Sequence, residues 1–152
     1  NSADGSGTAN IAPTTVVASA STTETLTYTA ATGGMATGGQ ITMVVPAGWS
    51  APQTTSGLIA GFTQASIAGG AFATTNVAVT GTGPWLVSVT LPTSLNDGQT
   101  IVIRYGDTSV NASGAALAPV TTGPYLFQTQ QRSTSGGVLT NVAGSQTVTV
   151  NP

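Results

Sequence analysis

The acid–base chemistry open to this chain depends on four carboxylates: Asp4, Glu24, Asp97 and Asp107. Two carboxyl groups roughly 5 to 9.5 Å apart could hydrolyse a glycosidic bond. Asp97 and Asp107 are the tempting pair because they bracket one predicted strand. However, about ten residues of strand at ~3.3 Å each would separate the two groups by roughly 30 Å. The sequence therefore predicts no paired-acid catalytic site.

Nucleophilic catalysis and transition-metal binding lack their usual side chains. The chain contains no cysteine, histidine or lysine, so a serine has no adjacent base and zinc has no nitrogen or sulfur ligand. Oxygen ligands for calcium exist at Asp107 with Asn111, and at Asn96 with Asp97, but both groups are more typical of Asx turns. We expect no enzymatic activity, no bound metal and no cofactor.

Charge is almost absent from the sequence. Charged residues make up 4% of the 152 residues, with a net charge of −2, against about 25% in an average soluble domain. Such a chain cannot neutralise a row of phosphates, which argues against nucleic-acid binding, and no apolar run reaches the roughly 18 residues of a membrane helix. It also lacks the lysines that keep strand edges from pairing. The composition favours a structural, self-associating protein.

Alternating apolar and polar residues predict an all-β domain. Leu26, Tyr28 and Ala30 share one face of a strand, with threonines between them. The same period recurs in about eight or nine runs separated by glycine, proline and asparagine turns. The predicted strands cover 11–17, 25–30, 41–45, 77–79, 86–91, 101–105, 125–132, 138–139 and 147–150. This spacing predicts an antiparallel β-sandwich.

The first twenty residues differ from the rest. After a flexible stretch, five residues alternate on one face: Ala9, Ile11, Pro13, Thr15 and Val17. A spacer of small residues, 18–21, follows them. We therefore divide the chain into residues 1–20, an N-terminal arm and candidate donor strand, and residues 21–152, the β-sandwich domain. Such an arm can complete its own sheet or that of a neighbour through main-chain hydrogen bonds.

Two turn motifs carry a resemblance to known proteins. The run Val44-Val45-Pro46-Ala47-Gly48-Trp49 is similar to "VPxGW", and the stretch from Leu91 through Ile101 to "LxxGQxIxIxY". In residues 20–150 the chain resembles the Ig-like modules of bacterial and archaeal extracellular surface and filament proteins. The resemblance implies an Ig-like sandwich used for structure or adhesion, and it implies no catalytic residue.

The sequence predicts an extracellular or cell-surface location. Asn1-Ser2-Ala3-Asp4 fits a mature end after removal of a signal peptide. Asn111-Ala112-Ser113 is a sequon, which makes Asn111 a candidate glycosylation site in an exported protein.

The predicted function is a structural subunit of an extracellular, pilus-like filament that assembles head-to-tail by β-strand donation. In this hypothesis residues 9–17 pair with an incomplete sheet of the adjacent subunit, where Ile11 and Val17 fill apolar pockets. The partner is thus another copy of the same chain. One alternative is an Ig-like module of a large surface adhesin or surface-layer protein. Another is a carbohydrate-binding module, for which Trp49 is the aromatic residue expected to be most exposed.

Overall fold

Strands joined by tight turns form almost all of the regular structure, in a computed structural model that describes residues 1–152. The only helical element is one 3₁₀ turn at Ala112–Gly114. The strands are β1 (Thr8–Ala12), β2 (Thr15–Val17), β3 (Ser21–Thr22), β4 (Glu24–Thr29), β5 (Gln40–Val45), β6 (Thr63–Ile67), β7 (Val77–Gly81), β8 (Trp85–Thr90), β9 (Thr100–Tyr105), β10 (Ala116–Leu117), β11 (Gly123–Leu126), β12 (Thr129–Arg132), β13 (Thr140–Asn141) and β14 (Thr147–Asn151).

Two larger and two smaller sheets are built from these strands. The larger ones have four strands, in the order β1-β4-β9-β6, and five strands, in the order β13-β12-β5-β8-β7. The smaller ones have the orders β11-β14-β2 and β10-β3. Every pairing is antiparallel except that of β14 with β2, which is parallel. The prediction of an all-β, antiparallel architecture is therefore confirmed.

The core is formed by the inward faces of both larger sheets. On β4 the threonines face outward, while Leu26 and Tyr28 are fully buried. Ile41 and Met43 of β5 belong to the same hydrophobic cluster, although β5 lies in the other large sheet. A fully buried side chain of this kind contributes about 1.5 to 3 kcal/mol. The period-2 pattern of the sequence thus decides which face of each strand is buried.

The observed strands differ from the predicted ones at two places in the larger sheets. The run predicted as one strand from 125 to 132 is divided between β11 and β12, which belong to different sheets. The chain crosses between the sheets at Phe127, which is fully buried. In addition, β6 was not predicted, because only Ala65 and Ile67 of its five residues are apolar and its other face carries the polar side chains of Gln64 and Ser66. Both polar side chains are nevertheless buried, and each donates a hydrogen bond, to Asp107 and to the Gly70 carbonyl respectively.

An aromatic cluster anchors the loop after β5 to the core. Trp49 contacts Phe127 edge-on, with ring centroids 5.0 Å apart, and Tyr125 at 5.8 Å. Trp49 is only 2% exposed, so the expectation that it is the most exposed aromatic residue is wrong. The reason is that edge-to-face packing with its neighbours stabilises the indole inside the core.

Candidate functional site

Strand β1 fills a slot between two segments of its own chain. On one side it pairs antiparallel with β4 along its whole length. On the other side it runs beside residues 143–145, where the N–H groups of Ala9 and Ile11 each donate to a main-chain carbonyl at 2.9 Å. Both edges of the strand are therefore hydrogen-bonded. We call the space between β4 and residues 143–145 the N-terminal slot.

The side chains of β1 also close the hydrophobic core. Ala9 is fully buried and Ile11 is 3% exposed, and in the strand register they lie opposite Tyr28 and Leu26. An empty slot would leave these two large side chains of β4 without cover on one side. The strand thus contributes both main-chain pairing and apolar burial.

The predicted alternating face ends at Pro13. Pro13, Thr15 and Val17 are exposed, and Val16, which was not predicted, packs against the core instead. Proline has no N–H group to donate to a ladder, so the run is divided into β1 and β2. Val17 is 56% exposed and fills no pocket in this chain.

After this break the chain continues along the same path. β2 runs parallel to β14, so residues 8–17 lie beside residues 143–151 as one extended segment, here called the N-terminal run. Residues 18–20 of the spacer follow, since Ser21 already belongs to β3, and Ser19 has a φ of 62°. The Ser19 N–H donates to the Pro119 carbonyl at 3.1 Å.

Residues 1–7 are fixed to the same molecule. The Asp4 carboxylate accepts hydrogen bonds from the N–H groups of Ser133 at 2.8 Å and Val138 at 2.9 Å. These two bonds lower the pKa of Asp4 below its ordinary value. In addition, the Tyr28 hydroxyl donates to the Ser6 carbonyl at 2.9 Å. In this structure residues 1–17 are paired within their own chain.

Gln146 organises one wall of the slot, and sequence reasoning missed it. Its amide nitrogen donates to the carbonyls of Ala9 at 3.3 Å and Val142 at 3.0 Å. Its amide oxygen accepts the Thr129 N–H at 3.0 Å. One buried amide thus joins β1, β12 and the segment before β14. The only signal in the sequence was a glutamine just before an alternating strand, which is too common to interpret.

The four carboxylates do not form a shared site. Asp97 and Asp107 lie beyond opposite ends of β9. Asp107 is buried and accepts from the Ser109 N–H at 2.8 Å, which is the Asx turn expected there. No group of three or more histidine, cysteine, aspartate or glutamate side chains is placed to hold a metal ion. Asn111 is exposed and accepts from the Ser113 N–H at 2.9 Å.

Glu24 is the unusual ionisable group. Its side chain lies on the inward face of β4 and is fully buried. One carboxyl oxygen accepts from the Thr22 hydroxyl at 2.8 Å, and the other has no hydrogen-bond partner. Burial raises the pKa of Glu24 to about 7. The alternation with Leu26 and Tyr28 could have revealed this position, because it places residue 24 on their face.

Neither protein-family models nor curated protein sequences give a match to the chain. The structure contains no helix of the length and apolarity required to cross a bilayer. The geometry of the candidate site is that of a strand held in a slot between two segments of the same chain.

A substitution at Gly144 tests whether β1 needs the close approach of residue 144 in the N-terminal slot. A Cβ atom at position 144 would overlap the Ala9 carbonyl oxygen, and the φ of 125° there is strained for other residues. We expect Gly144→Ala to lower the free energy of unfolding by roughly 3 kcal/mol and the Tm by about 10 °C, measured by thermal and chemical denaturation. Gly136→Ala is the matched control, since a Cβ there meets nothing within 4 Å. Equal stability of the two variants would contradict this account of the slot.

The raised pKa of Glu24 predicts that the protein becomes less stable as the pH rises towards neutral. Its pKa in the folded state, about 7, lies above its ordinary value of 4.5, so the folded protein binds the proton more tightly than the unfolded chain. The stability that this proton contributes is complete below about pH 4.5 and is lost as the pH rises through 7. We expect the free energy of unfolding to fall on the order of 2 kcal/mol across this window.

Urea denaturation at a series of pH values measures this effect. Glu24→Gln should remove the decline, because an amide does not titrate, whereas Asp97→Asn should leave it unchanged. The stability that the lowered pKa of Asp4 contributes is present above its ordinary value of 3.8 and is lost only below it, outside this window. If the free energies of unfolding of the wild type and of Glu24→Gln fall by the same amount between pH 4.5 and 7, Glu24 is not the source of the decline.

Proposed function

We propose that this chain is a structural subunit of an extracellular, pilus-like filament with an Ig-like sandwich fold, in which neighbouring subunits exchange the N-terminal run. The observation that carries the proposal is the N-terminal slot. It receives a strand that is paired on both edges and buries Ala9 and Ile11. A strand from a second copy has the same sequence and can make the same contacts.

The contacts of β1 favour neither self-pairing nor exchange. The main-chain bonds and apolar burial of β1 are identical whether the strand comes from its own chain or from the next one. The balance between the two arrangements is then set by the concentration of subunits and by the spacer. A vacated slot exposes core side chains, so it is refilled by whichever strand is nearest.

The spacer gives the run a place at which to turn. Residues 18–20 are Ala-Ser-Ala and connect the run to β3. Ala18 packs against the core, whereas Ser19 is exposed and adopts a positive φ of 62°. A change of backbone angles here would redirect the N-terminal run at the cost of two spacer hydrogen bonds, those of the Ala18 and Ser19 N–H groups to the Asn151 and Pro119 carbonyls, and β4 would regain its cover from the run of another copy.

Exposed apolar residues surround this end of the molecule. The loops after β5 and β9 meet there, since Ser50 N–H donates to the Leu117 carbonyl at 3.1 Å and the spacer contacts Pro119. Large apolar side chains are exposed around it: Val17, Leu58, Ile59, Val110, Leu117 and Val120. An uncharged apolar end favours contact with another subunit. Such a contact is insensitive to salt, because no ion pairs are involved.

The alternative function is an Ig-like module of a large surface adhesin or surface-layer protein. The pairing of the N-terminal run within its own chain favours this alternative, because a stand-alone module needs no partner strand. The burial of Trp49 removes the aromatic residue on which a carbohydrate-binding function chiefly depended. Asn111 remains a candidate glycosylation site on an exposed loop.

An engineered disulfide distinguishes exchange from self-pairing. Asn10 lies opposite Thr27 in a hydrogen-bonded pair, with Cα atoms ~5.5 Å apart, which is within the range of a disulfide. The chain has no cysteine of its own. We expect oxidised filaments of Asn10→Cys/Thr27→Cys to give a ladder of covalent oligomers on a non-reducing gel, because each bond joins two subunits.

Electron microscopy first shows whether filaments are present, and the gel then reads the connectivity. Asn10→Cys alone is the control and should give no ladder. A monomer band from intact filaments would refute strand exchange while leaving a filament function. Dispersed single domains with an intramolecular disulfide would support the adhesin module instead.

A further inference from the structure

β7 is an open edge of the five-stranded sheet. It pairs with β8 alone, and a hydrogen bond from the Thr90 N–H to the Asn76 carbonyl fixes which main-chain groups face β8. Because these groups alternate along an antiparallel pair, the N–H and carbonyl of Val79 point away from β8. Neither group has a hydrogen-bond partner in the chain.

The other edges of the two larger sheets are covered or short. β1 lies in the N-terminal slot. β6 is covered by residues 71–73, since Ala65 and Ala73 exchange two main-chain hydrogen bonds of 2.9 and 3.0 Å. The last edge, β13, is two residues long. β7, with five residues, is the longest edge that stays open.

The side chains of β7 also suit a close approach of another strand. Val77 and Val79 pack against the core, so the outward residues are Ala78 and Thr80, which are small and exposed. No charged residue lies on β7 or β8. Natural edge strands are usually protected by lysines, prolines or bulges, and this one has none of them.

We propose that β7 pairs antiparallel with β7 of a second copy of the chain, across a two-fold axis at Val79. In this register the two Val79 residues exchange N–H···O=C hydrogen bonds, and Ala78 lies opposite Thr80 of the second copy. The pairing joins two five-stranded sheets into one. An uncharged edge has no charge pattern with which to select a different protein. The same edge of a second copy, in contrast, supplies the carbonyl and N–H groups that Val79 lacks, because a two-fold contact uses one surface twice.

This contact uses neither the N-terminal run nor its slot, so it does not depend on the proposed strand exchange. In an assembly built by strand exchange, it would join two filaments side by side. In an isolated chain it would give a closed dimer, because a two-fold contact leaves no further surface free.

Cysteine cross-linking of the full chain tests the pairing and its register. In Ala78→Cys/Thr80→Cys, each cysteine lies opposite one of the second copy in a non-hydrogen-bonded pair, with Cα atoms ~4.5 Å apart, which allows a disulfide. We expect mild oxidation to give one dimer band on a non-reducing gel, with nothing larger. Thr80→Cys alone should cross-link at least about ten-fold less, because its two cysteines are diagonal neighbours ~7–8 Å apart.

Charge variants provide a second measurement. Ala78→Lys/Thr80→Lys places like charges opposite each other and should abolish pairing, whereas Ala78→Lys/Thr80→Glu places opposite charges together and should retain it. Sedimentation velocity measures the pairing of free chains, and electron microscopy that of filaments. A monomer band, a ladder, equal cross-linking in the single-cysteine control, or identical behaviour of the two charge variants would each overturn the proposal.

Discussion

The two-sided hydrogen bonding of β1 is the interaction on which the rest of this structure depends. β1 completes the four-stranded sheet at β4 and also binds the segment leading into β14. It therefore joins parts of the chain that are far apart in sequence, and it covers one side of the core. The proposed strand exchange would make the same closure with β1 of another copy.

The near absence of charge has a second consequence inside the protein. Buried main-chain groups that loops leave unpaired need side-chain partners, and here amides and hydroxyls supply them. Gln146 satisfies groups of Ala9, Val142 and Thr129, and Gln131 accepts the Gly5 N–H at 2.7 Å. Neutral partners avoid the desolvation cost of a buried ion. Two carboxylates, those of Glu24 and Asp107, are nevertheless buried, and burial raises the pKa of Glu24.

The edges of the two larger sheets differ in whether their main-chain groups have hydrogen-bond partners. The slot closes one edge of the four-stranded sheet, and a short return of the chain at Ala73 closes the other. β7 has no such cover, and it carries none of the charges that would repel a second strand. β7 is therefore the edge at which we propose contact between copies.

The sequence by itself determined the all-β class, the buried face of strands such as β4 and β9, and the lack of cysteine, histidine and lysine, because alternation and composition are local properties. Only the tertiary structure decided that Phe127 marks a crossing between sheets, that the buried strand β6 exists, and that Trp49 is enclosed. It also decided that the alternation of Ala9 and Ile11 stops at Pro13. These features depend on which distant segment supplies the partner for each main-chain group, and a local pattern does not contain that information.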